Sequence, residues 1–154
     1  MQNPQGQQLT QFRRLREQNE MFSEQLELVN ASLSSIKQTQ KTVENLKTVQ
    51  EGDEILIPIG GIAEMKAKAT NPEKVLLYVS QDVVIEKTPD EALEHIEELI
   101  DNHEEQIEYL KKKIEETESK LKSLSQQFQQ SYAKAANMQR QRQAYSQQQD
   151  LQKE

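Results

Sequence analysis

From Leu93 onward the chain carries a 3.5-residue apolar repeat that runs for about seven heptads without a stutter. Leu93, Ile100, Ile107, Ile114, Leu121, Phe128 and Ala135 fall at position a. Ile96, His103, Leu110, Thr117, Leu124, Ser131, Met138 and Tyr145 fall at d. A repeat sustained this long predicts a helix that supercoils left-handedly around a partner helix. A second heptad stretch opens the chain. With a at Phe12, Asn19, Leu26, Leu33 and Gln40, position d takes Leu15, Phe22, Val29, Ile36 and Val43. Asn19 and Gln40 are polar seam positions, which weaken a coiled coil but can fix its register. Composition agrees with extended helices rather than a compact globule. Of 154 residues, only 34% are hydrophobic and 5% aromatic, and Trp is absent, so there is little from which to build a large core.

Between the two heptad stretches the pattern changes. "EILIPI" alternates Ile55, Ile57 and Ile59 on one face, and Gly60-Gly61 then reads as a two-residue hairpin turn. "IAEMKAKA" returns from it, and "TNPE" is a turn. "KVLLYVS" and "VVIEK" form a second pair across Gln81-Asp82. Pro58 cannot donate to a ladder, which puts its strand at an edge or Pro58 at a bulge. Gly52 is placed to end the first helix in a left-handed cap. "TPDEA" opens the second, with Thr88 as N-cap, Pro89 at the first helical position and Glu91 closing a capping box. The expected organisation is a disordered lead-in at residues 1–8, a helix at 9–50 and two hairpins at 53–87. A second helix follows at 88–147 and a disordered tail at 148–154. The class is α+β, mainly α: an antiparallel two-helix coiled coil with two inserted hairpins.

A bare loop would suffice to reverse the chain, so two hairpins exceed that need. Isolated hairpins are marginal in water. The runs Val75, Leu76, Leu77, Val79 and Val83, Val84, Ile85 are apolar on both strand faces, as in strands buried on both sides. One subunit cannot cover them. The reading is therefore that Ile55, Ile57, Ile59, Val75, Leu77, Val79, Val83 and Ile85 are assembly residues, and that hairpins of several chains join in a shared sheet or barrel.

With "ILIPIGG" after the first helix and "VVIEKTPDEA" entering the second, the chain resembles the alpha class of prefoldin subunits over nearly its whole length. The beta class carries one hairpin rather than two. Where the family often has a Gly-rich second turn with an aromatic residue, this chain has Ser80-Gln81-Asp82-Val83. The resemblance implies a hexamer of two alpha and four beta subunits, with a double β-barrel body and six coiled coils. It implies an ATP-independent holdase of the cytosol that captures unfolded proteins at the coiled-coil ends and passes them to a group II chaperonin. The alternative is a structural or filament-forming relative.

In an antiparallel hairpin starting near Val49 and Pro89, paired residue numbers sum to about 138. Helix 2 then outruns helix 1 beyond about residue 129. Tyr132, Ala135, Met138 and Tyr145 continue the stripe there. With Phe128, and with Phe12 and Leu15 opposite, they form the expected client-binding surface, Met being suited to adaptable contacts.

Other chemistry finds no foothold. His95 and His103 are eight apart, whereas helical metal pairs sit four apart. No metal, cofactor or enzymatic activity is expected. Gly60-Gly61 fits no phosphate-binding motif. Nothing suggests a nucleophile beside a base. The net charge is −7, and Pro89 to Leu110 holds nine acidic residues with no Lys or Arg, the pattern of a solvated helix face. No basic face stands out, so no nucleic-acid partner is expected. Cys is absent, which excludes disulfides. No apolar run approaches 18 residues, so the expectation is a cytoplasmic protein without membrane contact.

Overall fold

The computed structural model of the chain describes the backbone of residues 4–150 and the side chains of residues 6–144. The elements are α1 (Pro4–Leu46), β1 (Glu54–Ile59), β2 (Ala63–Lys68), β3 (Val75–Ser80), β4 (Val83–Lys87) and α2 (Pro89–Asp150). Two long helices thus flank two hairpins, the expected mainly helical α+β class. Residues 1–3 of the expected lead-in at 1–8 and residues 151–154 of the expected tail at 148–154 lie outside the described residues.

Helix ends differ from the expected boundaries for local reasons. Residues 4–8 are helical, because Pro4 sits where a missing N–H is harmless and its φ suits a helix. α1 then stops at Leu46. The N–H groups of Lys47, Thr48 and Val49 donate to the carbonyls of Glu44, Asn45 and Leu46 at 3.1–3.2 Å, and such i→i+3 bonds tighten and close a helix. Gly52 is therefore not its cap. It has φ 88° within a turn closed by the Asp53 N–H on the Gln50 carbonyl at 3.1 Å, the third turn position where φ > 0 favours Gly. Its own N–H donates to the Ala69 carbonyl at 2.7 Å, which starts the first hairpin's ladder. α2 opens as expected. The Thr88 hydroxyl accepts the Glu91 N–H at 3.3 Å, and the Thr88 N–H donates to Glu91 Oε2 at 3.0 Å. The helix continues to Asp150, past the expected 147.

The chain divides into two compact units, Leu26–Tyr109 and Met1–Gln25 with Leu110–Glu154. In the first, Val43 of α1 meets Ala92, Ile96 and Ile100 of α2, and Leu33, Ile36, Leu93, Val75 and Leu77 pack against them. Lys47 pairs with Asp90 at 2.6 Å and Lys37 with Glu104 at 2.7 Å. The helix segments of this unit are antiparallel, with partner numbers near the expected sum.

Both hairpins belong to this unit. β1 pairs with β2 so that Ile55, Ile57 and Ile59 face Ala67, Met65 and Ala63 across the ladder. The turn spans Gly60, Gly61 and Ile62, and only Gly60 has positive φ, at 69°. This corrects the two-residue turn: Ile59 pairs with Ala63, so three residues lie between the strands. Pro58 sits at a regular edge-strand position opposite Glu64. The bulge falls in the other hairpin, where the β3–β4 register shifts between Tyr78 and Ser80. Each hairpin is a separate two-stranded sheet, and the single chain closes no barrel.

In the second unit, α1 and α2 again pack antiparallel, with Leu110, Thr117 and Leu124 buried. Asn19 donates from its amide to Thr117 Oγ1 at 2.8 Å and to the Ile114 carbonyl at 3.3 Å. A polar a-position residue thus meets a buried polar d-position residue and is satisfied. Phe12 and Phe128 stack edge-to-face with centroids 6.4 Å apart.

Candidate functional site

Two surfaces carry the predicted site residues, one in each unit. The first is the pair of hairpins. Strand alternation sends successive side chains to opposite faces. Val75 and Leu77 are half-buried against the chain's own helices. Between and beyond them Leu76 and Tyr78 are 67% and 76% exposed. Val79, Val83, Val84 and Ile85 are exposed as well. The chain's own helices therefore cover one face of the second hairpin only at Val75 and Leu77, while Val79 and Ile85 of that face stay exposed. In the first hairpin Ile55 is half-buried while Ile57 and Ile59 are exposed, together with Leu56, Ile62 and Met65. Leu56, Ile62, Met65, Leu76, Tyr78 and Val84 belong to this apolar surface although sequence reasoning left them out of the assembly set.

The second surface lies on the last part of α2. Every a and d position from Leu93 to Phe128 is buried or half-buried. From Gln129 to Ala144 every side chain is exposed. The stripe continues across this boundary, with Tyr132 and Met138 exposed by 68% and 58% and Ala135 also open. Phe12, Leu15 and Phe128 sit on the covered side of the boundary, all half-buried. The seven expected client-binding residues thus divide. Phe12 and Phe128 are in ring contact, Leu15 lines a shallow cleft with Leu124, and Tyr132, Ala135 and Met138 stand free of the seam. The Tyr145 side chain lies outside the described residues.

Titratable groups show structural roles. His103 at position d bonds on both nitrogens, Nδ1 to the Leu99 carbonyl at 2.7 Å and Nε2 to the Ser32 hydroxyl at 3.0 Å. The Thr88 backbone N–H, and then the charge of Lys87, hold Glu91 below the usual carboxylate range. A hydrogen bond and ion pair with Glu86 raise Lys74. Among the described residues no His, Asp and Glu side chains cluster as a metal site would need, and no helix is long and apolar enough to cross a membrane.

The chain is thus a helix, two hairpins and a helix, with an apolar strand surface and a second helix that continues past its covered seam. A family model for prefoldin subunits matches residues 15–134. The chain belongs to the prefoldin family. Prefoldin subunit alpha of Methanoregula boonei is 37% identical over 84 residues, 54% of each chain. Prefoldin subunit alpha 2 of Methanocaldococcus jannaschii is 35% identical over 72 residues, 47% of this chain and 49% of that one. The chain thus spans about half the length of the curated relatives it matches. Among solved structures it resembles filamentous prefoldin of Methanocaldococcus jannaschii, with a TM-score of 0.65 and 29% identity over 75% of this chain and 95% of that one. It also shares its fold with the prefoldin beta subunit of Thermococcus strain KS-1, at a TM-score of 0.54 and 21% identity over 85% and 96% of the two chains. Two hairpins and relatives that are alpha subunits make this an alpha-class prefoldin subunit.

Proposed function

We propose that this prefoldin subunit is part of an ATP-independent holdase. It assembles through its hairpins with beta-class subunits into a hexamer of two alpha and four beta chains. It holds unfolded proteins at the end of its helices and hands them to a group II chaperonin in the cytoplasm. The observation that carries this reading is the apolar stripe of α2, which continues through Tyr132, Ala135 and Met138 after its cover has ended. A long helix could have ended with its seam. Instead it presents an aromatic ring, a small side chain and a flexible thioether to solvent, surrounded by Gln that keep the segment soluble. Such a surface suits weak, adaptable contact with many sequences.

The test is aggregation suppression by the assembled complex, comparing the full chain with one ending at Gln127. The shortened chain is expected to assemble normally and to protect an unfolded client less well. Undiminished protection by an intact shortened complex would mean that this end does not hold clients.

A second reading, a filament-forming assembly protein, is favoured by one observation: the likeness at a TM-score of 0.65 to a prefoldin that forms filaments. It differs from the first in predicting open-ended homopolymers in place of a closed mixed hexamer.

A further inference from the structure

The sequence shows no dense basic run, because the cations concerned are spaced by Gln, Ser and Ala in segments near both ends of the chain. The unit formed by Met1–Gln25 and Leu110–Glu154 brings these ends together. Residues 1–16 contain three Arg and neither Asp nor Glu, and Ser119 to Gln149 contain five Lys and Arg and again no acid. Arg16 pairs with Glu20 at 3.0 Å, and Lys120 acts on Glu116. That leaves Arg13, Arg14, Lys122, Lys134, Arg140 and Arg142, all exposed. From Ser119 to Gln149 and over residues 1–16 every charged side chain is thus basic, bounded by Glu17, Glu118 and Asp150, although the chain as a whole carries −7.

Two of these cations adjoin the exposed apolar stripe: Lys134 falls at position g beside Ala135, and Arg142 falls at a, one turn beyond Met138, whereas Arg140 falls at f on the far side of the same uncovered helix. We infer that this end prefers acidic, apolar-bearing polypeptide segments, and that it disfavours basic ones. The inference rests on the client-holding reading above and adds the charge class of the client. A single-sign field raises the local concentration of oppositely charged ligand and repels like charge. The apolar stripe then supplies the contact that charge alone does not. A polypeptide fits this surface better than a nucleic acid. Single-stranded nucleic acid binds on rows of aromatic side chains, whereas Tyr132 is the one aromatic residue between Gln129 and Ala144. Small and thioether side chains with glutamine carboxamides suit apolar side chains and peptide groups.

The experiment uses the full chain in its assembled complex and two fluorescent, permanently unfolded peptides. They share one apolar pattern, and every Glu of the first is Lys in the second. Anisotropy titrations at low and at high salt give the two affinities. The acidic peptide is expected to bind about tenfold more tightly at low salt, a ratio that shrinks as salt screens exposed charge. The K134Q/R140Q/R142Q variant, checked by circular dichroism for unchanged helix content, is expected to lose most of that ratio. Equal binding of both peptides overturns the charge preference and leaves the client reading standing. Binding of neither overturns both. A ratio unchanged in the variant shows that the preference arises elsewhere and overturns the assignment to this end. A single-stranded RNA that displaces the acidic peptide at lower concentration than unlabelled acidic peptide makes nucleic acid the ligand and overturns it too.

Discussion

Gly60 and Gly61 stand side by side in the sequence, yet the structure asks different things of them. Gly60 has φ 69°, and Gly61 is not in the left-handed region. A Cβ on either would meet nothing within 4 Å, so backbone conformation, not space, sets the cost. Gly60→Val is expected to lower stability by about 1–2 kcal/mol, the penalty for an L-residue in that region. Gly61→Val should cost distinctly less. Chemical denaturation of the two single variants makes the comparison, and equal losses would place the strained position elsewhere in the turn. The dipeptide announced a turn but not which glycine bends. That depends on whether two or three residues separate the strands, and Ile62 joins the turn only because Ile59 pairs with Ala63. Asn19 was readable as a polar seam residue. Its partner Thr117 was readable as a d position, but the bond between them needed the register of one helix against the other.

At the scale of elements, the heptads were legible because their signal is repeated. In α1 the a and d positions from Phe12 to Val43 are all buried or half-buried, as the spacing requires. The α2 N-terminus was legible because a capping box is local chemistry. Glu91 closes that box, and its folded pKa is lowered, chiefly by the Thr88 N–H. A carboxylate held below its unfolded value adds stability above the ordinary carboxylate range, and that contribution is lost as pH falls through the lowered folded value. Glu91→Gln keeps a capping side chain but removes the titration. The variant is expected to show a shallower acid-side decline in its urea midpoint than the parent. Identical decline in both would mean that Glu91 adds nothing to it. The second hairpin was harder to read. Val75 to Val79 is apolar at five successive positions, so alternation is invisible in it, and only packing against the cluster of Val43, Ala92, Ile96 and Ile100 reveals that Val75 and Leu77 face inward. This sorts two substitutions. Leu77→Lys puts a charge into the chain's own core and should reduce stability in any assembly state. Leu76→Lys changes an exposed face and should weaken assembly while leaving helix content unchanged. Circular dichroism and sizing chromatography read the two effects separately, and assembly undisturbed by Leu76→Lys would remove that face from the proposed interface.

At the scale of the whole molecule, the single chain leaves its apolar strand surface uncovered. Leu56, Ile57, Ile59 and Met65 in the first hairpin, and Leu76, Tyr78, Val83 and Val84 in the second, are all exposed. Fully burying a side chain such as Leu or Ile is worth about 1.5–3 kcal/mol, so these eight could supply at most about 12–24 kcal/mol before costs. Association itself consumes roughly 4–15 kcal/mol. Burying a few of these residues would not secure a complex, whereas engaging both hairpins would. The expectation is therefore that the isolated chain does not remain a monomer, and that beta-class subunits convert whatever it forms into one closed species. Native mass spectrometry of the chain alone, and of the chain mixed with a beta-class partner, can follow this. The closed reading expects a single mixed mass with two alpha and four beta subunits. The open reading expects a ladder of homopolymers that persists when the partner is added. Both use the same strands, so a variant carrying Leu76→Lys together with Tyr78→Lys should yield monomer under either. If that variant still assembles like the parent, the β3–β4 face is not the contact, and the first hairpin alone is left to carry the joint on which both readings depend.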